Sequence, residues 1–347
     1  MYAVALTGKE QLEYREVTLS SCGPEEITLK VHAVGICGSD LRIFKQGDSR
    51  IDMPRVTGHE IAGEIIETGS MVTGLEKGDR VTLGAHIPCG FCYYCQKNMG
   101  HQCEKKHSIG YQVDGGFAEY AVLPREFVRF GSIQKIAGTT SFEQASLSEP
   151  FSCVLSGIRE VGAGAGDTIV VYGAGAIGCM YIAALKRMGA ARVIAVQRSA
   201  PRRQKAAEAG ADRVVDPSIE NMSDIMNEET NGLGADRVIV TAPSAELQNE
   251  ALDIVRKTGS ILLFAGMKSA EAPPFDTDKI IYKQLRVTGT HGAPRDLHME
   301  AVKWIDEGLI NFDLFITHTF ALYETDLAFR TADGKEGLKC VVLPQKP

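Results

Sequence analysis

No stretch of this chain is apolar for long enough to cross a bilayer, which excludes a helical membrane protein. An excess of positive charge is also missing: 37 lysines and arginines stand against 44 acids, for a net charge of -7 at pH 7. That balance leaves no overall electrostatic footprint for nucleic acid. The opening MYAVALTGKE has neither the basic segment nor the apolar core that directs secretion. The expected compartment is therefore the cytoplasm, where thiols stay reduced. Repeats and low-complexity tracts are absent too. What remains is the composition of a globular protein, 44% hydrophobic and 23% charged, and long enough at 347 residues for two cores.

Against these absences one loop stands out. Cys89, Cys92, Cys95 and Cys103 follow the spacing C-x2-C-x2-C-x7-C. Four thiolates at such intervals can close a tetrahedral shell around one soft divalent ion, which is the pattern of a structural zinc with no open position. A pair of disulfides would need an oxidising compartment, to which nothing in the sequence routes the chain. The other five cysteines, Cys22, Cys37, Cys153, Cys179 and Cys340, are scattered and read as reduced thiols.

The chain changes texture near Pro150. Before it, short β-like runs broken by glycine (EITLKVHAVG, IAGEIIETG, DRVTLGA, GGFAEYAVLP) predict a barrel-like all-β unit. From Cys153, strands alternate with helices: DTIVVYG, AIGCMYIAALKRMGA, RVIAVQ, PRRQKAAEAG, ADRVVD, NMSDIMNEETNG, ADRVIVTA, LQNEALDIVRKTG and SILLFAG. That alternation predicts βαβ units and a parallel sheet. The tail offers a helix DLHMEAVKWIDEG, an extended FITHTF, a helix around TDLAFRTA and a terminal strand LKCVVLP, which is expected to return to the first domain.

Gly173, Gly175 and Gly178, with Ala176 and Ile177 between, form a G-x-G-x-x-G directly after an apolar strand and at the opening of an apolar helix. In that frame the glycines give a tight turn, an approach for a pyrophosphate and close helix–strand packing, with the anion at the helix N-terminus. The next strand lacks the acid that usually holds a free ribose 2′-hydroxyl. It ends instead in Gln197, Arg198 and Ser199, with Arg202 and Arg203 following. Arginines here can fork onto a 2′-phosphate, and without an anion they oppose the helix dipole. NADP is expected over NAD.

Cys37, in GICGSD, and His59, in GHE, stand 22 residues apart in glycine-flanked turns. Two donors do not fill a zinc shell, and Glu149, in SEPF at the junction of the two textures, offers a third. Three protein ligands and one open position make the catalytic form of a zinc site.

In the order GICGSD, GHE, the cysteine quartet, DGGFAEY, EP, GAGAIG and a late GLK, the chain resembles the zinc-containing medium-chain dehydrogenases, over essentially its whole length. The resemblance is specifically to their sorbitol (polyol) dehydrogenase branch. It implies an α/β protein with a discontinuous GroES-like β-barrel catalytic domain, residues 1–151 and 291–347, that holds both zincs. A Rossmann dinucleotide-binding domain, residues 152–290, lies between. By position, Cys37, His59 and Glu149 look like the catalytic zinc ligands; the alcohol dehydrogenase branch has a cysteine where Glu149 stands. Cys153 is a weaker rival. Glu60 resembles the acid that sits behind the metal or joins its shell, Asp40 the carboxylate that orients His59, and Ser39 the hydroxyl that passes on the substrate proton. Arg42 replaces a histidine that completes this relay in some relatives.

The implied activity is hydride transfer between NAD(P) and a secondary alcohol or ketone, with a polyol (a sugar alcohol, inositol or diol) as the expected substrate. Lys45, Arg50 and Arg55 follow the first zinc motif and could serve a phosphorylated polyol, although plain surface charge accounts for them as well. Polyol-phosphate and amino-alcohol (threonine-type) dehydrogenases are the alternatives. A zincless quinone reductase or a non-catalytic nucleotide-binding relative would lack donors or glycines that this chain keeps. A homodimer or homotetramer is expected, with Leu285 to Thr290 as a strand that could pair across a twofold axis.

Overall fold

The computed structural model describes residues 1–267 and 275–346. Its backbone divides into two units, Met1–Ser152 with Gly292–Pro347, and Cys153–His291.

The first unit is built on a seven-stranded sheet. Ile133–Lys135, Arg80–Leu83, Glu60–Thr68, Ile27–Gly35, Lys339–Leu343 and Ile316–Ala321 follow one another across it, and Tyr120–Leu123 also pairs with Ile27–Gly35. A three-stranded sheet of Gln11–Glu16, Tyr2–Gly8 and Arg55–Val56 accompanies it. Alternating apolar residues on these strands, such as Ile27, Leu29 and Val31, are fully buried together with Phe117 and Phe329. The C-terminal strand Lys339–Leu343 pairs antiparallel with Ile27–Gly35, Val341 opposite Gly35. On its other side Gly35 faces Glu60. A side chain at Gly35 would force Glu60 to move, because its Cβ would stand 2.0 Å from a Glu60 carboxylate oxygen. The register thus packs Cys37, Glu60 and Lys339 into one corner of the sheet.

GICGSD opens a helix as well as a turn. Gly38–Gln46 is helical, with Cys37 at the N-cap and the Asp40 carboxylate accepting from the Cys37 backbone N–H at 2.9 Å. An acid three residues after the cap satisfies an orphan donor and favours the helix dipole.

The second unit is a six-stranded parallel sheet. Arg213–Val215, Arg192–Val196, Thr168–Tyr172, Ala235–Val240, Val255–Leu263 and Arg286–Gly289 lie in that order across it. In sequence order within the unit this is 3-2-1-4-5-6, the doubly wound arrangement of a Rossmann domain. Val170, Ile194, Val238 and Ile261 are fully buried, as strands covered on both faces require. One boundary departs from expectation. The helix Ala245–Ile254 stops five residues short of Gly259, because Val255 is already extended (ψ 137) and pairs with Ala235. Among the described residues no helix is long and apolar enough to cross a membrane.

Candidate metal and cofactor sites

The cysteine loop folds on itself. Cys92 caps the short helix Tyr93–Gln96, which delivers Cys95 back toward it. The Cys92 and Cys95 sulfurs lie 3.5 Å apart and those of Cys89 and Cys95 3.9 Å apart. All four donors, Cys103 included, fall within 4.8 Å of one another. A tetrahedral zinc with bonds of about 2.3 Å needs sulfurs about 3.8 Å apart, so the residues present fit that ion. The electrostatics agree. The Cys95 N–H donates to Cys92 and pulls its thiol down to about 6, whereas burial and then Cys92 push Cys95 up to about 12. Thiols this close cannot all ionise without a cation among them.

The second cluster draws on distant segments. Donor atoms of Cys37, His59 and Glu60 also lie within 4.8 Å of one another. His59 Nδ1 faces Asp40 Oδ1 at 3.5 Å, and both atoms are buried without a hydrogen-bond partner. Burial would depress the imidazole, but the Asp40 carboxylate and then the Cys37 thiol hold it well above its usual range. A buried imidazole and carboxylate with a half-buried thiol, together favouring positive charge, suit a divalent cation.

Glu60 has a partner that sequence reasoning missed. The lysine of the late GLK, Lys339, is buried, and its Nζ donates to Glu60 Oε1 at 2.6 Å and to the Ile36 carbonyl at 3.0 Å. The GLK motif was the available signal; its partner was not readable. Glu149, on the first turn of the helix Ser148–Val161, stands outside the tight triplet. It is buried, and burial raises its carboxyl to about 7, with His59 pulling it down and Glu60 pushing it up. Ser39 is half-buried in the first turn of its helix. Cys153 belongs to neither metal-type cluster.

A second missed feature fixes the start of the Glu149 helix. Buried His298 meets Ser132 Oγ through Nδ1 at 2.8 Å and Ser148 Oγ through Nε2 at 3.0 Å. Ser148 continues to Thr82 Oγ1 at 2.8 Å, and Thr82 donates to the Ile61 and Ala145 carbonyls. Because the Thr82 proton is committed to carbonyls, Ser148 must donate to Thr82 and accept from His298 Nε2–H. Burial, with Arg295 adding to it, lowers His298 to about 3 and keeps it neutral.

The three glycines of the motif differ in what surrounds them. Gly173 has φ 92, and a Cβ there would meet Thr241 Oγ1 at 2.7 Å. A Cβ at Gly178 would strike the Gly173 carbonyl at 1.8 Å, whereas one at Gly175 would find only Arg202 Nη1, at 3.9 Å. Gly175 caps the helix Ala176–Arg187, which places Ala176 and Ile177 in its first turn. Ser199 caps the helix Ala200–Glu208, and the Gln197 side chain accepts from its N–H at 3.3 Å. The arginines part company here. Arg203 is occupied, pairing with Asp216 at 2.8 Å and donating to the carbonyls of Gln197 and Arg198. Arg198 is exposed, and Arg202 reaches toward Gly175. Lys45, Arg50 and Arg55 are engaged by Asp333, Asp48 and Asp114. Arg42 lies 3.6 Å from Asp48.

Two family profiles match the chain: the alcohol dehydrogenase GroES-like domain over residues 23–130 and the zinc-binding dehydrogenase over residues 176–307. The L-threonine 3-dehydrogenase of Caldanaerobacter subterraneus subsp. tengcongensis is 33% identical, covering 91% of this chain and 90% of that protein. The chain belongs to the zinc-containing medium-chain dehydrogenase family. The D-arabitol-phosphate dehydrogenase of Enterococcus avium is 31% identical over 95% of this chain and 93% of that protein. Among solved structures, a zinc-binding dehydrogenase of Sinorhizobium meliloti 1021 with NADP bound superposes with a TM-score of 0.91, at 30% identity and 99% coverage of both chains. As a member of this family, the protein is an oxidoreductase of the zinc-dependent alcohol dehydrogenase type, with a GroES-like and a Rossmann domain.

Proposed function

We propose that the protein is an NADP-linked dehydrogenase of a secondary alcohol, with a polyol (a sugar alcohol, inositol or small diol) as substrate and the ketone as product. The observation that carries this reading is the convergence of half-buried Cys37 with buried His59 and Glu60, with Glu149 beside them. Cys37, His59 and Glu149 would hold the catalytic zinc. Lys339 already neutralises Glu60, which favours Glu149 as the third ligand and keeps Glu60 in reserve behind the metal. Cys89, Cys92, Cys95 and Cys103 would hold a second, structural zinc. When bound, the catalytic zinc supplies Lewis acidity to the reacting oxygen, and the nicotinamide supplies the hydride acceptor.

The chain's own part is orientation and proton traffic. Asp40 fixes the His59 ring through Nδ1, as carboxylates behind ligating histidines do. Ser39 Oγ takes the hydroxyl proton of the substrate and releases its own outward. Gly173, Gly175 and Gly178 admit the pyrophosphate, and Arg198 and Arg202 take the 2′-phosphate. Arg203 braces that loop from behind, because its guanidinium is already paired.

The active form is proposed to be a homodimer or homotetramer. Arg286–Gly289 is the edge strand of its sheet, which supports pairing along the segment Leu285 to Thr290. The relatives named for threonine and for arabitol phosphate keep two other alcohols in view, an amino alcohol and a phosphorylated polyol.

Cofactor reduction followed by nicotinamide absorbance, with NAD and NADP side by side, tests the reading on a panel of hexitols, pentitols, inositols, 2,3-butanediol, threonine and a polyol phosphate. Turnover of a polyol with NADP preferred at least tenfold is the expected result. Preference for NAD would reduce Arg198 and Arg202 to surface charge. Silence across the panel from enzyme carrying two zincs would overturn the substrate class.

A further inference from the structure

A cavity of 240 Å³ opens beside Glu149, and its lining comes wholly from the first unit. One wall is the cysteine loop itself, through Cys95, Asn98 and His101. The chain as a whole is acidic, with a net charge of -7, yet this lining inverts that balance. Besides Cys95, its ionisable members are His86, His101, Arg129, Arg295 and His298, and Glu149 is the single acid among them.

The two guanidiniums dominate the charge. Both ring nitrogens of His298 are taken by serines, so that residue stays neutral. Arg129 meets Glu25 only at 3.8 Å, the outer limit of an ion pair, and its side chain is 55% exposed. Arg295 lies in the first turn of the helix Arg295–Asp306, where the dipole disfavours a cation. The acid next to it, Asp296, accepts from Asn98 at 3.1 Å. If Glu149 binds the metal, its charge is committed there. Two exposed, forked cations would then line the mouth of the cavity, Arg129 with only its distant contact to Glu25 and Arg295 with no ion pair of its own among the described residues, which is a setting in which arginine recognises phosphate or carboxylate.

We propose that this cavity receives an anionic group, a phosphate or a carboxylate, carried on the substrate alcohol itself and recognised by Arg129 and Arg295. This deepens the dehydrogenase reading and rests on it, because it takes Glu149 to mark the reacting end of the cavity. A neutral polyol would gain nothing from the two arginines. An alcohol bearing an anion would be oriented by them, with its hydroxyl left toward Glu149.

The test uses full-length, zinc-loaded enzyme with saturating NADP, so that the cofactor's own phosphate site is filled. D-arabitol is compared with D-arabitol 5-phosphate, and 2,3-butanediol with 2,3-dihydroxybutanoate, in the wild type and in the double variant Arg129→Gln/Arg295→Gln. The expected result is a kcat/KM at least a hundredfold higher for one anionic alcohol than for its neutral partner. That ratio should collapse to within about fivefold in the double variant, chiefly through KM. Which anionic alcohol wins identifies the source of the charge. Equal use of charged and neutral partners, with a ratio the double variant does not move, overturns the anion subsite and leaves the dehydrogenase standing. Turnover of none of the four alcohols counts against the dehydrogenase reading instead. The subsite is then judged by calorimetric titration with inorganic phosphate: saturable binding that the double variant loses supports it, and absence of binding to the wild type overturns it.

Discussion

The two metal-type clusters of the first unit are built in opposite ways. The cysteine knot is local: its donors fall between Cys89 and Cys103, and a four-residue helix brings two of them together. The Cys37–His59–Glu60 cluster is dispersed. Glu60 and its partner Lys339 are separated by 279 positions, and they meet because the C-terminal strand returns beside Ile27–Gly35. A local knot is fixed by spacing and needs little from the rest of the fold. A dispersed centre inherits its geometry from the sheet, so distant residues tune it.

That contrast can be broken from either side. Cys95→Ser attacks the local knot, and losing a four-thiolate shell forfeits most of a binding free energy of about 10 kcal/mol or more. Zinc content should fall from two to one, limited proteolysis should cut between Cys89 and Cys103, and NADP affinity should stay within a factor of two. Cys37→Ala attacks the dispersed centre. It should lower kcat/KM by about 10⁴, the equivalent of about 5.5 kcal/mol, and also leave one zinc, with little change in melting temperature. If both variants lost both metals, the independence of the two sites would be refuted.

Lys339→Met tests remote control of the dispersed centre. It strands the buried Glu60 carboxylate and should cost about 3–5 kcal/mol in urea unfolding, while Lys339→Arg recovers much of the loss. An effect below about 1 kcal/mol would show that Glu60 is neutralised by something else.

The smallest effect concerns His298. Its folded pKa, near 3, lies below the ordinary histidine value, so the unfolded chain takes up a proton that the folded chain refuses. The stabilisation is complete above about pH 6.5 and is lost as pH falls toward 3, by about 1.4 kcal/mol per pH unit. Between pH 6 and pH 4, His298→Gln should therefore show a shallower loss of stability than the wild type, measured by urea titration at each pH. Parallel slopes would mean that His298 is protonated in the folded protein.

The division between local and dispersed also explains what the sequence could reveal. Thr168–Tyr172 and its neighbours are continuous apolar runs between turn signals, so the parallel sheet was legible. So was the strand–turn–helix frame around Gly173, Gly175 and Gly178, which depends on adjacent residues. The Cys89–Cys103 knot was legible for the same reason. Lys339 could be noticed as part of GLK, but its bond to Glu60 depends on strand pairing that no local pattern records. The close approach of Glu60 to Gly35 and the serine–histidine chain through His298 are hidden likewise, each requiring segments far apart in sequence. The ion pair of Arg203 was hidden as well, because its partner, Asp216, lies beyond the next strand. The helix boundary at Ile254 was missed because VRKTG reads equally well as a helix end until the sheet claims Val255.

The two metal sites are separated most sharply by titrating the purified enzyme with a mild chelator, following zinc release and alcohol-dependent NADP reduction in the same samples. Two zincs per chain are expected, with activity lost as the first leaves and restored when zinc is returned, while the second stays bound in the cysteine knot. Full activity after the first zinc has gone, or a chain that never holds more than one, would contradict that expectation.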